Sequence, residues 1–231
     1  MYWIIIFMIL SYSFFPTMIF KALWRRKSFS IGREKNVFLT FDDGPSSEYT
    51  AELLDLLKEF NIKATFFVVT DFAKENSDLI KRMKLEGHEI GLHSCSHKNS
   101  LYRGWKYTSR DLKESLKAME NMNVNVCGYR PPWGHLNIVT LYMLKKLKIK
   151  LILWGAMAQD WKADTTSEEI NRKIIEAMKN GNSILCLHDG RGEEKKAPQR
   201  TIEALRESIP ILLKKGYKFK NLGEYYESVY E

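Results

Sequence analysis

From Val37 onward the chain switches repeatedly between two hydrophobic periodicities, and this limits its fold more than any other feature. Val37 to Phe41 is a β-branched and aromatic run that stops at Asp42-Asp43-Gly44-Pro45, a turn signal. Leu53, Leu54, Leu56, Leu57 and Phe60 then recur at helical spacing among Glu, Asp and Lys. The same exchange repeats. Strand-like runs are expected at Ala64 to Val69, Glu89 to His93, Val126 to Arg130, Lys150 to Trp154, Ser183 to His188 and Tyr217 to Asn221. Helices are expected between them: one running to Gly87 as C-cap, then Ser109 (as N-cap) to Met122, Asn137 to Lys146, Ser167 to Asn180 and Pro198 to Lys215. Strands alternating with helices pair in parallel through crossovers. About seven such strands with no second domain predict an α/β fold, a (β/α)-type barrel whose site gathers at the C-terminal ends of the strands. Residues 37–231 read as one catalytic domain.

Residues 1–36 are different in kind. Tyr2 to Phe20 carries no charge and is interrupted only by Ser11, Ser13, Pro16 and Thr17. It is just long enough for a membrane-spanning helix. The start lacks the positive charge of a signal peptide and no small-residue cleavage pattern follows Phe20. An uncleaved N-terminal hydrophobic anchor is therefore expected, against a cleaved signal or an apolar helix packed on the domain. Lys21, Arg25, Arg26, Lys27, Arg33 and Lys35 follow with a single acid, Glu34, so this stretch carries most of the formal +8 charge. The rest of the chain is nearly balanced, which argues against nucleic acid as a partner and for a membrane contact through residues 2–20. No protein partner is evident. The positive-inside rule puts the domain in the cytoplasm; the function developed below puts it outside the cell. Three cysteines, Cys95, Cys127 and Cys186, exclude a fully paired disulfide framework.

The residues following the strands carry the chemistry. Asp42-Asp43 follows the first, His93 and His97 the third, Arg130-Pro131-Pro132-Trp133-Gly134 the fourth, Asp160-Trp161 the fifth and His188-Asp189 the sixth. Two imidazoles and a carboxylate are a common hydrolytic zinc set, with a position left open for water. Adjacent aspartates at one strand end suit a division of labour: one binds metal and the other takes a proton from water. The competing reading is a structural Asp-Asp-Gly-Pro turn. His188 suits a general acid, oriented by Asp160. Alternation places Cys186 on the side of His188, against substrate or in the core. Cys95, between the histidines, is a further candidate ligand. Trp133 and Trp161 line a sugar pocket or belong to the core.

Thr40-Phe41-Asp42-Asp43-Gly44-Pro45, His93-Ser94-x-x-His97, Arg130 to Gly134, Asp160-Trp161 and Leu187-His188-Asp189 together resemble the five motifs of the NodB-homology polysaccharide deacetylases, carbohydrate esterase family four. The resemblance extends from Val37 to Leu222. It implies a distorted (β/α) barrel and a divalent metal, most often zinc, bound by Asp43, His93 and His97. It implies Asp42 as base, Arg130 as its holder, a backbone N–H near Trp133 for the oxyanion, Asp160 tuning His188 as acid, and Trp161 walling the acetyl pocket. Pro132, Trp133, Trp161, Cys186 and Leu187 are the expected substrate-contacting residues. Two positions depart from the family pattern: Met157 stands where an acid is usual, and Cys186 where a pocket leucine is usual. The implied activity is N-deacetylation of N-acetylglucosamine in a cell-wall or surface glycan. The rivals are O-deacetylation of an acetylated polysaccharide, a lipid-linked sugar substrate, and a silent glycan-binding module.

Overall fold

The computed structural model describes residues 3, 7, 10–31, 35–181, 183–190 and 196–223. Tyr2, Met8, Ile9 and residues 4–6 of the N-terminal apolar stretch lie outside the described residues, as do Arg33 and Glu34.

A turn of π-helix, Leu10–Phe14, leads into helix α1, Phe15–Ile31. Then follow β1 (Asn36–Asp42), α2 (Thr50–Glu59), β2 (Thr65–Val68), α3 (Thr70–Glu75), α4 (Ser77–Leu85), β3 (Glu89–Leu92), α5 (Trp105–Asn121) and α6 (Ile138–Leu147). The series closes with β4 (Ala156–Met157), α7 (Ser167–Lys179), β5 (Ile184–His188), α8 (Ala197–Lys214) and β6 (Lys218–Phe219). The sheet order is β3-β2-β1-β5-β4, all parallel, and β6 pairs with the start of β1.

Backbone hydrogen bonds close this sheet into a ring. Beyond β3, Cys127 N–H donates to Ile90 O and Arg130 N–H to Leu92 O. The same segment reaches the next through Tyr129 N–H to Lys150 O and Ile152 N–H to Tyr129 O. That segment returns to β5 through Gly155 N–H to Ile184 O. The expected fourth strand is thus present as an extended stave with single bridges at Tyr129 rather than a regular ladder. Pro131 and Pro132 follow at once and have no N–H with which to extend it. The fifth stave pairs with β5 further along than expected, at Ala156 and Met157.

The central strand β1 is buried at every residue, as befits a parallel strand covered on both faces. The helices pack outside. Leu53, Leu54 and Leu57 of α2, Ile170 and Ile174 of α7, and Leu205 and Ile209 of α8 join Phe41 and Phe66 in one apolar cluster. The helix expected to run to Gly87 is two helices: at Asn76 the backbone leaves helical geometry (φ −123°, ψ 47°), and the side-chain amide donates to Phe72 O. Ser109 is not an N-cap. Helix α5 starts a turn earlier, after Gly104, and Ser109 Oγ bonds back to Lys106 O within it. Asn137 does cap α6, its Oδ1 accepting from Thr140 N–H at 2.7 Å.

The N-terminal segment is docked on this barrel. Thr17 Oγ1 donates to Leu136 O (3.1 Å) and accepts from Leu136 N–H (2.8 Å), and Tyr12 O–H donates to Arg103 O (2.8 Å). Phe14, Phe15, Met18, Ile19 and Leu23 face outward. Two of the polar interruptions noted in the sequence, Ser13 and Thr17, are buried, and Thr17 bonds the barrel directly. Among the described residues no helix is long and apolar enough to cross a membrane.

Candidate active site

Every strand-end residue singled out above lies at one rim of the ring. Asp42 and His188 are the last residues of β1 and β5 and face each other across the ladder, Asp42 opposite His188. His93 directly follows β3, and Arg130 ends the fourth stave. The first N–H groups of α3 hold the loop after β3, Thr70 N–H to Ser94 O and Asp71 N–H to Cys95 O. Asp43, Ser94, His97 and Trp133 all have positive φ (72°, 71°, 53° and 55°). Such left-handed geometry in non-glycine residues is costly. Gly44 and Gly190 are required by close approach: a Cβ on Gly190 would overlap the Asp43 carbonyl, and one on Gly44 the Asp189 carboxylate.

Asp42 and Asp43 leave β1 in different directions. Asp43 Oδ1 lies 3.1 Å from His93 Nε2 and 2.9 Å from His97 Nε2. His93 Nδ1 meets Arg130 O at 2.7 Å, an acceptor that fixes the proton on Nδ1 and leaves Nε2 as a lone pair. Acceptor atoms therefore converge at one point. Asp43 Oδ1 is buried without a hydrogen-bond partner there, which is the donor set and orphaned atom that a divalent cation satisfies. With no cation between them, burial pushes Asp43 upward, but N–H donation from the His93 and His97 imidazoles and the charge of His188 outweigh it and hold the carboxyl well below the usual range. Cys95 is not part of this cluster. Its Sγ turns to α5, against Asp111 O (3.3 Å) and Ser115 Oγ (3.2 Å).

Asp42 faces the other way. Arg130 Nη1 donates to Asp42 Oδ1 (2.7 Å) and Thr40 Oγ1 (2.7 Å), and Nη2 to Leu153 O (3.0 Å). The guanidinium is fully buried and lies 4.0 Å from the Phe67 ring centroid. Cys186 Sγ donates to the second oxygen of Asp42 at 3.3 Å. Burial, with Asp42 alongside, raises the Cys186 thiol well above its usual value, so it remains a donor.

Asp160 accepts from His188 twice, from the backbone N–H (2.7 Å) and at Nδ1 (2.9 Å), and also from Thr201 Oγ1 (2.9 Å). Burial pulls the His188 imidazole down, while Asp160, Asp43 and Asp42 more than reverse this and push it up to about 9.

A cleft of about 610 Å³ opens over these groups. Its lining includes Asp42, Asp43, His93, His97, His188 and the expected tryptophans Trp133 and Trp161. Trp133 packs on His97 with ring centroids 4.4 Å apart. Trp154, His135 and Met157 also line it and were not singled out as pocket residues from sequence, apart from Met157 as a departure. Leu187 is in the apolar core, and Pro132 and Cys186 are buried beneath the cleft surface, so none of these three is among its lining residues. Asp189 was named in its motif but given no role. It is buried, accepts from Thr50 Oγ1 (2.6 Å) and donates its N–H to Asp42 O, bracing the turn that carries both aspartates. Only its place beside His188 hinted at this.

A sequence model of the polysaccharide deacetylase family matches residues 30–152. A peptidoglycan-N-acetylglucosamine deacetylase of Bacillus cereus is 32% identical over 193 residues, which is 83% of this chain and 88% of that protein. A chitooligosaccharide deacetylase of Azorhizobium caulinodans is 29% identical, over 82% of this chain and 93% of its own. Among solved structures, the Bc1960 peptidoglycan N-acetylglucosamine deacetylase superposes with a TM-score of 0.75 at 28% identity, covering 82% of this chain and 87% of that one. A family 4 acetyl xylan esterase from Clostridium thermocellum, in complex with cobalt, superposes at 0.72 with 31% identity, over 83% and 90%.

Replacing Arg130 by Met leaves Asp42 a buried, unpaired charge, and is expected to cost about 3–5 kcal/mol in urea denaturation. Adding Asp42→Asn removes that charge and should recover part of the loss; a single-variant cost below about 1 kcal/mol contradicts the pairing. The His188 imidazole is protonated in the folded protein beyond its ordinary value of 6.5. Its ion pair therefore contributes stability that is complete below that value and lost as pH rises through about 9. In metal-free protein the His188 ring signal in NMR should titrate near that upper pH, and at lower pH in Asp160→Asn. Identical titration in both proteins would remove Asp160 as the cause.

Proposed function

Because the chain belongs to the polysaccharide deacetylase family, we propose that it removes the N-acetyl group from N-acetylglucosamine residues of a cell-wall or surface glycan. The observation that carries this reading is the opposite orientation of two adjacent aspartates, one toward His93 and His97 and the other toward Arg130 and Cys186.

Asp43, His93 and His97 would hold the divalent cation, and their two imidazoles and one carboxylate suit zinc. When bound, that cation supplies Lewis-acid polarisation of the acetamide carbonyl and makes water more acidic. The remaining work belongs to the side chains. Asp42 takes the proton of the attacking water, its carboxylate held in place by Arg130 and Cys186. Water oxygen adds to the carbonyl carbon. Trp133 N–H sits in the first turn of a short 3₁₀ segment, where donors lack intrahelical acceptors, and would serve the developing oxyanion. His188, its Nδ1–H fixed on Asp160, protonates the departing nitrogen from Nε2. The C–N bond breaks, releasing acetate and a free amine. Trp161 and Met157 wall the acetyl group.

In this reading residues 1–36 attach the catalytic domain to a membrane at the outer face of the cell. The apolar face of α1 lies along the surface rather than across it. The positive-inside rule governs spanning segments, so Arg25 and Arg26 do not oppose an outer location for a helix lying on the surface.

The test is acetate release from chitooligosaccharide, peptidoglycan fragments and acetylxylan by protein stripped of metal and then given zinc. Zinc is expected to restore release from the N-acetylated substrates. Asp42→Asn should keep its zinc and lose about 10²–10⁴-fold in rate, whereas His93→Ala should lose both. Equal zinc loss in the two variants would refute the division between the aspartates, and release from acetylxylan alone would replace the amide by an ester.

A further inference from the structure

A second cavity of about 510 Å³ lies between α1 and the barrel rim, lined by Met18, Lys21, Arg25, Arg26, Leu153 and Trp154 among others. Three of these side chains are cationic and none of the lining residues is acidic. Among the described residues no carboxylate is ion-paired with Lys21, Arg25 or Arg26. Among the described residues their charge is thus uncompensated, at a concave site with an apolar wall where a bound anion interacts more strongly than on an open surface. One of the cations is fixed in position. Lys21 Nζ donates to Trp133 O at 2.9 Å and lies 5.9 Å from the Trp154 ring centroid, which ties the cavity to the loop over the catalytic cleft. Trp154 lines both spaces, so one indole separates the basic cavity from the cleft holding Asp42 and His188.

We infer that the basic cavity takes a phosphate group borne by the acetylated sugar, so that the enzyme acts on a glycosyl phosphate or diphosphate. Guanidinium groups match phosphate oxygens with paired hydrogen bonds, and an ammonium adds a point charge. A neutral glycan in the cleft leaves all three cations without a counter-charge. The exposed apolar face of α1, with Met18 shared between that helix and the cavity, suits a phosphate carried on a lipid. This inference rests on the deacetylase reading above.

The experiment compares zinc-loaded full chain with Arg25→Gln/Arg26→Gln, using N-acetylglucosamine 1-phosphate and the neutral methyl glycoside of N-acetylglucosamine. The unaltered protein should favour the phosphorylated sugar in kcat/KM by about tenfold or more, and the variant should lose that preference while keeping its rate on the neutral glycoside. Absence of the preference, or its persistence in the variant, overturns the inference. If neither sugar releases acetate, the deacetylase reading fails, and calorimetry still decides this one: binding of N-acetylglucosamine 1-phosphate should weaken about tenfold in the variant, and equal binding overturns it. A variant that keeps the sugar preference but no longer binds phosphatidylglycerol vesicles would assign the cavity to a lipid headgroup and overturn it too.

Discussion

The active site is organised around the buried Arg130. Its guanidinium fixes Asp42 and Thr40 on β1 and the Leu153 carbonyl on the fifth stave, while its own carbonyl fixes the tautomer of His93. One residue thereby orients both the carboxylate assigned as base and an imidazole assigned to the metal. A fully buried guanidinium is expensive unless each charge is matched. Here Asp42 neutralises it, two further acceptors take its protons and the Phe67 ring covers its face. The contacts that hold Asp42 in place are therefore the same ones that make the buried cation tolerable. Removal of either partner would strand the other in the barrel interior.

Separation of roles between neighbouring aspartates follows from backbone geometry. Asp42 is the last residue of β1, and Asp43 adopts a positive φ directly after it. That reversal turns the second carboxylate toward the β3 loop while the first stays over the barrel. The strain is supported from below: Asp189 grips Thr50, and Gly44 and Gly190 let the two loops touch. His188 is tuned by the same arrangement, since the acids around it favour its protonated form despite burial. Asp42 and His188 thus share one cleft, each with its own fixed counter-ion, Arg130 and Asp160.

Much of this was legible in the sequence because strand ends are marked locally. Apolar runs that stop at Asp42, His93, Arg130 and His188 announce both the staves and the residues at their rim. Contacts set by tertiary packing were not legible. Nothing near Cys95 in sequence indicated that its thiol would turn to Asp111 and Ser115, some turns along α5. Cys186 looked like a substrate contact by alternation and proves to donate to Asp42 from beneath the cleft surface. At the break, both the backbone N–H and the side-chain amide of Asn76 donate to Phe72 O, a contact no local pattern announced. The N-terminal contacts were equally hidden: Thr17 read as an interruption of the apolar stretch and Lys21 as the start of the basic one, and they bond the rim loop at Leu136 and Trp133.

The assignment of metal to one aspartate and proton transfer to the other can be tested without turnover. Asp42, Cys186 and His188 form a second cluster able to ligate, only a side chain away from Asp43, His93 and His97. X-ray absorption at the zinc edge of the loaded protein separates the two, because imidazole and carboxylate ligands lie at about 2.0–2.2 Å and thiolate sulfur at about 2.3 Å. The account predicts two imidazole nitrogens, the remaining ligands oxygen, and no sulfur. A sulfur shell would place the metal on Cys186 and contradict it.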